Sequence, residues 1–246
     1  MRNVLITGAT SGIGLYLVEK YLQAGDKVYA CGRNFQAYLK SSSLIDAEKS
    51  DKLVKIVFDM NHHDAIIDVL TEVESLDIAI LNAGTCEYID DAMGFDAELF
   101  ERVINTNVIS IGYCLQALLP KMKQRGHLAL MGSSAAFVPF QRAEAYGASK
   151  AAIHYLAQSL QLDIPKERLT ISVIAPGFVK TPLTDKNDFP MPMLIEPDKA
   201  ADHIINGINN NKQHIHFPFP FTRFLILMGA LPSCIWQWMA LRMKRK

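Results

Sequence analysis

The first fourteen residues constrain the fold more than any other part of the chain. Residues 3–7 are an apolar run rich in β-branched side chains, which indicates a buried strand. The turn Gly8-x-x-x-Gly12-x-Gly14 follows at once, and apolar residues then recur at helical spacing until Gly25 provides a helix stop. This order favours a dinucleotide site, because glycine permits close backbone approach and the helix N-terminus faces the pyrophosphate. The spacing differs from Gly-x-Gly-x-x-Gly, and without its flanking elements the loop would equally suit a plain turn.

Further apolar runs repeat the pattern along the chain, with helix-like segments between them. We predict strands at residues 27–31, 54–58, 78–81, 127–132, 169–175 and 214–217. Strands that alternate with helices predict parallel pairing through right-handed crossovers. The predicted fold class is α/β: a doubly wound Rossmann-type parallel sheet of about seven strands with helices on both faces. A single nucleotide-binding and catalytic domain would cover residues 1–217, followed by an apolar extension over 218–246.

Tyr146 and Lys150 are four residues apart, which places them one turn apart on the same face of a helix. A phenol is a weak acid near neutral pH, and a neighbouring ammonium lowers its pKa by favouring the phenolate. Such a tyrosine can give a proton to a carbonyl or take one from an alcohol. Tyr-x-x-x-Lys pairs also arise by chance on solvated helices, so the interpretation depends on the companion motifs.

Those companions occur in a fixed order along the chain. They are Thr7-Gly-Ala-Thr-Ser-Gly-Ile-Gly14, Asp59, Asn82-Ala83-Gly84, Asn107, Ser133, the Tyr146/Lys150 pair and Pro176-Gly-Phe-Val-Lys-Thr181. In these motifs the chain resembles the short-chain dehydrogenase/reductase family, from about residue 1 to about residue 207.

The resemblance implies four catalytic roles. Tyr146 would be the general acid for carbonyl reduction and the base for the reverse reaction, and Lys150 would lower its pKa and hold the nicotinamide ribose. Ser133 would hydrogen-bond the substrate oxygen, and Asn107 would position a water that relays protons to Lys150. The family's spacing selects Ser133, although a one-residue deletion would select Ser134 instead; we assign Ser134 to capping the strand end.

The resemblance also implies the residues around the cofactor. Asn82 would tie neighbouring strands together, the Val179 backbone and the Thr181 hydroxyl would hold the carboxamide, and Asp59 would lie beside the adenine or cap the next helix. The predicted cofactor-binding residues are Gly8, Thr10, Ser11, Gly12, Ile13, Gly14, Arg33, Asp59, Asn82, Ala83, Gly84, Tyr146, Lys150, Val179 and Thr181.

The end of the second strand distinguishes the two nicotinamide cofactors. An acidic residue there would bind the ribose 2′-hydroxyl and select NAD, but Gly32 and Arg33 occupy the positions. A guanidinium pairs well with a phosphate, so we predict NADP. The alternative is that Arg33 stacks on the adenine, which it could do with either cofactor.

Composition excludes some classes of function. The formal net charge of zero argues against nucleic-acid binding. Four cysteines without a C-x-x-C pair, and no clustering with histidine, predict reduced thiols, a cytoplasmic location and no metal site. We see no signal peptide. The family resemblance implies a homodimer or homotetramer.

The sequence leaves alternative roles open for two segments near the C-terminus. Residues 183–196 fall where the family has a mobile lid, and their methionines and prolines suit an apolar ligand or simply close the core edge. Residues 224–241 are uncharged, contain Trp236 and Trp238 and precede a basic end. We expect this extension either to pack as an arm or subunit interface, or to contact the inner face of a membrane peripherally. Gly229 and Pro232 should interrupt the run, which disfavours a span.

The sequence therefore predicts a carbonyl reductase or alcohol dehydrogenase that transfers hydride between NADP(H) and a ketone or secondary alcohol, with an apolar small-molecule substrate. The alternative is a non-catalytic NADP-binding redox sensor or membrane-associated scaffold on the same fold.

Overall fold

The computed structural model describes residues 1–242, except for the side chains of residues 39 and 40. The predicted basic end at Lys244, Arg245 and Lys246 lies outside these residues. Seven strands form one sheet in the order β3-β2-β1-β4-β5-β6-β7, and every neighbouring pair is parallel. The strands are β1 Asn3–Thr7, β2 Lys27–Gly32, β3 Leu53–Val57, β4 Leu76–Leu81, β5 Met122–Met131, β6 Leu169–Pro176 and β7 His214–Phe217. The predicted doubly wound fold is confirmed.

Helices cover both faces of this sheet. They are α1 Gly12–Gln23, α2 Ser42–Lys49, α3 His63–Thr71, α4 Ala97–Ile104, α5 Ser110–Leu118, α6 Glu144–Asp163, α7 Pro197–Asn209, α8 Phe219–Ala230 and α9 Ser233–Ala240. Alternate residues of β1 enter opposite cores: Leu5 packs with α3, α5 and α6, whereas Val4 and Ile6 pack with α1 and α7. Burial on both faces explains why the strands read as continuous apolar runs. The order of the strands reverses between β1 and β4, and a crevice at this point is where ligands bind in such sheets.

The helical stretch Ala97–Lys121 joins α4 to α5 through a π-helical turn at Asn105–Ile109. Among the described residues it is the one helix long and apolar enough to cross a membrane by length and composition. A core helix passes the same test, and here α4 packs against α6 while α5 packs against α3. Packing inside the domain therefore accounts for part of its apolar character, since 44% of this stretch is buried.

The C-terminal extension folds as α8 and α9, which share a small third core with Val138 through Leu225 and Trp236. The indole N–H of Trp236 also donates to the Pro139 carbonyl at 2.6 Å. Pro232 does separate the two helices, but the prediction that Gly229 interrupts the run is wrong. Gly229 lies inside α8, where a Cβ would come within 2.4 Å of the Phe137 carbonyl oxygen, so glycine is what lets the helix pack there.

Candidate active site

The glycine-rich turn after β1 leaves no room for side chains at its three glycine positions. Gly8 and Gly12 have φ values of +64° and +52°, which L side chains rarely adopt. Gly14 has ordinary helical geometry, but a Cβ on it would lie 2.1 Å from the Gly8 carbonyl oxygen. The turn is therefore folded tightly against the first turn of α1 and presents bare backbone at the crevice.

The N-terminus of α1 is open to an anion. Ser11 is extended and its side chain makes no capping hydrogen bond, and no acidic residue lies in the first turn. The first N–H groups of a helix, here those of Gly12, Ile13 and Gly14, have no intrahelical acceptor and carry the positive end of the helix dipole. This arrangement fits the pyrophosphate of a dinucleotide.

Asn82 ties β4 to β1 beneath this turn, as predicted. Its side-chain amide donates to the carbonyls of Thr7, at 2.9 Å, and Gly8, at 3.3 Å. The Ala83 N–H donates to the Thr7 hydroxyl at 3.0 Å. These contacts fix the loop after β4 against the glycine-rich turn at the point where the strand order reverses.

The far end of the crevice contains the predicted adenine-side residues. A Cβ at Gly32 would lie 2.6 Å from the Thr10 methyl group, so Thr10 fills the space that an acidic side chain would need. Arg33 is 77% exposed, and its guanidinium lies 3.7 Å from the Asp59 carboxylate. Asp59 accepts the N–H of Asn61 at 2.9 Å and so caps a turn rather than the helix α3, whose N-cap is His62.

The predicted nicotinamide-side residues lie opposite α1. The Thr181 methyl would be 3.1 Å from a Cβ on Gly12, which brings this loop directly over the glycine-rich turn. Thr184 organises the loop, because its hydroxyl accepts the Thr181 N–H at 2.9 Å and donates to the Val179 carbonyl at 2.6 Å. The sequence analysis missed Thr184. The available signal was a second threonine three residues after Thr181.

Helix α6 carries Tyr146 and Lys150 to the carboxyl end of β5. The Lys150 ammonium donates to the Met131 carbonyl at 2.9 Å and lies 5.7 Å from the centre of the Tyr146 ring. Lys150 is buried, whereas Tyr146 is partly exposed. A Cβ on Gly84 would be 3.4 Å from the ammonium, so the loop after β4 closes this side of the site.

Burial dominates the pKa values of this pair. It lowers the pKa of Lys150 from 10.5 to about 8, and it raises the pKa of Tyr146 above its ordinary value, with nearby Cys86 adding to the rise and the Ser133 side chain opposing it. Burial thus outweighs the influence of Ser133 that lowers the Tyr146 pKa, and the expectation that Lys150 lowers this pKa stays a prediction. The phenol is neutral near pH 7.

Ser133 faces Tyr146, and it also has the capping role that the sequence analysis gave to Ser134. Its hydroxyl accepts the Ala135 N–H at 3.1 Å and caps the short 3-10 turn Ser134–Ala136. Its side chain is the one that lowers the Tyr146 pKa. The assignment of the cap to Ser134 is wrong, because the extended backbone of Ser133 places its own hydroxyl at the start of the turn.

Asn107 lies in the π-helical turn, and its side chain is bonded at both ends. Its carbonyl oxygen accepts the Thr85 N–H at 2.8 Å, and its amino group donates to the Thr85 carbonyl and the Ser149 hydroxyl, each at 2.9 Å. Ser149, which the sequence analysis did not single out, donates in turn to the Tyr146 carbonyl at 2.7 Å. The side chain thus links the loop after β4 to helix α6, which carries Tyr146 and Lys150.

An aromatic wall lies beside these polar groups. Phe189 makes edge-on contacts with Tyr88 and Phe178, at centroid distances of 5.6 and 6.0 Å, and Phe178 also contacts Phe221. Burial raises the pKa of Cys86, which lies among Tyr88, Tyr146 and Lys150. The sequence analysis did not predict that Tyr88, Phe178 and Phe221 meet the lid residue Phe189, because only the tertiary fold brings these loops together.

Residues 183–196, the predicted lid, are joined to neighbouring loops by polar contacts. The Arg142 guanidinium lies 2.7 Å from the carboxylates of both Asp188 and Asp90. The Tyr88 hydroxyl donates to the Asn187 side chain at 3.0 Å. Within residues 1–242, no group of three or more His, Cys, Asp or Glu side chains is arranged to hold a metal ion.

Comparison with known proteins places this chain in a family. The family model described as short chain dehydrogenase matches residues 2–190. An uncharacterized oxidoreductase of Myxococcus xanthus is 32% identical over 251 residues, which cover 99% of this chain and 98% of that protein. The NADP-dependent 3-hydroxy acid dehydrogenase YdfG of Shigella flexneri is 32% identical over 182 residues, 72% of each chain.

Solved structures show the same architecture. The closed form of a serine dehydrogenase complexed with NADP+ matches with a TM-score of 0.75 and 25% identity, over 87% of this chain and 94% of that one. A short-chain dehydrogenase of Sphingobium yanoikuyae in complex with NADPH matches with a TM-score of 0.79 and 24% identity, over 100% and 97% of the two chains. The protein belongs to the short-chain dehydrogenase family of oxidoreductases.

Proposed function

We propose that this chain is an NADP-dependent oxidoreductase that interconverts an apolar ketone and the corresponding secondary alcohol. The observation that carries the proposal is the meeting of Ser133, Tyr146 and Lys150 at the carboxyl end of β5, beside the open N-terminus of α1. Proton-donating groups and an anion-binding helix end are thereby combined in one crevice.

The cofactor is NADP. Two relatives support it by name, since one is an NADP-dependent dehydrogenase and another was solved with NADP+. In this chain the first turn of α1 would hold the pyrophosphate, Arg33 the 2′-phosphate, and Val179 and Thr181 the carboxamide. When bound, NADPH supplies the hydride that reduces the carbonyl carbon.

The protein groups handle the proton and the oxygen. Ser133 would donate a hydrogen bond to the substrate oxygen, where negative charge grows during reduction. Tyr146, whose raised pKa keeps it protonated, would then give its proton to that oxygen. The Lys150 ammonium would stabilise the phenolate left behind, while Asn107 holds the catalytic helix in register with the loop after β4 and, we propose, positions a water for proton return to Lys150.

The walls of the site favour an apolar substrate. Tyr88, Phe178 and Phe189 form a continuous aromatic surface next to the catalytic groups. A site with apolar walls and a few convergent polar groups binds an apolar body and orients one polar atom. A ketone on a hydrophobic skeleton has this pattern.

The test is NADPH oxidation with a panel of apolar ketones, comparing the wild type with Tyr146→Phe. Loss of the general acid should lower kcat/KM about 100-fold to 10,000-fold. Tyr155→Phe is a matched control, because Tyr155 is on the same helix but is 75% exposed. NADPH-induced thermal stabilisation should persist in both variants.

Two outcomes would contradict the proposal. Equal activity of the wild type and Tyr146→Phe would remove Tyr146 from the chemistry. NADPH binding with no turnover of any ketone or alcohol would favour the alternative, a non-catalytic redox sensor or membrane-associated scaffold on this fold.

A further inference from the structure

Helices α8 and α9 leave several large apolar side chains exposed to solvent. We call them the apolar face: Phe219, Phe224 and Leu227 on α8, and Ile235, Trp238 and Leu241 on or directly after α9. All six are at least 40% exposed, and Leu241 reaches 78%. Contiguous exposed apolar side chains of this size mark interaction sites in soluble domains.

The opposite side of the same helices is packed firmly on the domain. Leu225 and Trp236 are 1% and 2% exposed in the core with Val138. Trp236 is also hydrogen-bonded to Pro139. The apolar face is therefore the outer side of a docked helix pair, and its exposure does not come from a loose terminus.

Charge distinguishes this extension from the rest of the chain. Residues 218–246 contain no Asp or Glu and five basic residues, in a chain whose formal net charge is zero. These are Arg223, Arg242, Lys244, Arg245 and Lys246. The Arg223 guanidinium lies 5.2 Å from the centre of the Phe219 ring, and that of Arg242 lies 3.8 Å from the Trp238 ring. Cations thus border the apolar face directly.

We propose that the extension over residues 218–246 docks on an anionic phospholipid surface, while residues 1–217 carry the nucleotide and catalytic sites. Aromatic side chains beside basic residues suit the boundary between acyl chains and headgroups. Helix α8 has 12 residues and Pro232 separates it from α9, whereas a span needs about 20 apolar residues in one helix, so the helix pair would lie on the membrane surface. The basic residues add electrostatic attraction to anionic headgroups.

A second copy of the chain fits this surface less well. A twofold interface pairs a patch with itself. It would bring two sets of basic residues together with no carboxylate from the extension to offset them. An anionic membrane supplies the opposite charge, which a second copy of the extension lacks.

The experiment is vesicle flotation of the full-length protein. Vesicles of phosphatidylcholine alone are compared with vesicles that also contain phosphatidylserine, at low and high salt. We expect flotation only with phosphatidylserine, and weaker flotation at high salt because ions screen exposed charges. The chain has two tryptophans, and Trp236 is already buried, so a blue shift of the fluorescence on vesicle addition would report entry of Trp238 into the lipid.

Matched variants separate the two contributions. Leu227→Gln with Trp238→Gln should weaken binding more than about tenfold by removing apolar contact. Arg223→Gln with Arg242→Gln should do so by removing charge, at about fivefold per basic residue near the surface. Leu162→Gln and Lys166→Gln are the controls, since Leu162 is 88% exposed and Lys166 is exposed outside the extension. Thermal stability and NADPH-dependent ketone reduction should be unchanged in all of them.

Three results would overturn the proposal. The wild type could stay unbound with both kinds of vesicle, or Leu227→Gln with Trp238→Gln could float as well as the wild type. Light scattering could instead show that this double variant loses a dimer that the wild type forms, with no vesicle binding by either, which would make a second copy the occupant. Loss of NADPH-dependent ketone reduction alone would count against the proposed function and leave the membrane-docking proposal standing.

Discussion

The two halves of the candidate active site are built in opposite ways. The nucleotide half, around the turn after β1, consists of backbone, and its glycines sit where a single Cβ would collide with a carbonyl or a neighbouring loop. The chemical half consists of polar side chains placed in the interior: Asn107, Ser149 and Lys150 are 1%, 0% and 4% exposed. One half depends on the absence of side chains, and the other on polar groups that have lost their water.

This difference predicts opposite responses to mutation. A buried ammonium destabilises the fold unless it is paired, so removing it should add stability and abolish activity. The glycine turn is already packed to its limit, so adding one methyl should harm both folding and binding. Mutations in the two halves therefore test the comparison from both sides.

The largest effect should come from Lys150→Met, which keeps the aliphatic stem and removes the charge. Without the ammonium to stabilise the Tyr146 phenolate, kcat for ketone reduction should fall about 1,000-fold. In the wild type, activity should itself decline as the pH rises through about 8, where Lys150 loses its proton. Steady-state kinetics across this pH range measures both.

Stability should change in the other direction. A folded pKa of about 8 against an ordinary 10.5 means that the unfolded chain holds more protons between these values, so wild-type stability rises with pH across that window. Below pH 8 the buried charge destabilises the wild type by about 3 kcal/mol. The variant avoids this cost but loses the hydrogen bond to the Met131 carbonyl, which contributes about 1 kcal/mol. Lys150→Met should thus be about 2 kcal/mol more stable at pH 7, with the gain shrinking towards pH 10. A less stable variant at pH 7 would contradict the comparison.

Gly14→Ala should give the next largest effect. The new Cβ would lie 2.1 Å from the Gly8 carbonyl oxygen, so the turn must move. We expect a loss of about 1–3 kcal/mol in unfolding free energy and up to a 100-fold loss of NADPH affinity. Gly112→Ala, on the open side of α5 with nothing within 4 Å of its Cβ, is the control and should stabilise the protein slightly. If both variants bind NADPH like the wild type, the nucleotide half is less constrained than its geometry indicates.

The architecture could be predicted because it rests on local patterns. Seven apolar runs alternate with helical segments, and each was found within a few residues of its place. The start of β5 was missed: the strand begins at Met122, and its polar residues 123–125 do not look like a strand. Arg168, far along the chain, holds this first part of β5 by donating to the carbonyls of Met122 and Lys123.

The chemical behaviour of the site was harder to predict than the identity of its residues. The pKa of Tyr146 depends on how completely the surrounding loops exclude water, and spacing within α6 does not reveal that. The same is true of Ser133, whose capping role follows from its extended backbone, and of Tyr88, which meets Asn187 only in the folded chain. Family motifs located these regions, while burial and long-range contacts decided how each group behaves.

Arg33→Gln tests the one exposed side chain that we assign to recognition in the nucleotide half. If Arg33 reads the 2′-phosphate, the variant should lose about tenfold in NADPH affinity and nothing in NADH affinity. Calorimetric titration with both cofactors measures this, and Arg125→Gln, outside the crevice, serves as the control. An equal loss for NADPH and NADH would indicate that Arg33 stacks on the adenine instead. The contrast between the two halves would then be stronger, because no side chain at this end of the nucleotide half would distinguish NADPH from NADH.

Arg142→Gln should have the smallest effect, because Arg142 acts on the chemical half indirectly, through the lid and through the Tyr88 ring, whose centre lies 5.4 Å from its guanidinium. Arg142 bridges Asp188 on the lid and Asp90 on the facing loop, and both carboxylates are largely exposed, so each pair contributes little. We expect KM for an apolar ketone to rise about threefold while kcat stays the same, since the lid would close less often over an intact catalytic group. Lys199→Gln, which removes an exposed pair with Asp202 outside the lid, is the control. A fall in kcat as large as that of Lys150→Met would mean that the lid positions the reacting groups, and the chemical half would then extend beyond the buried side chains to the surface of the lid.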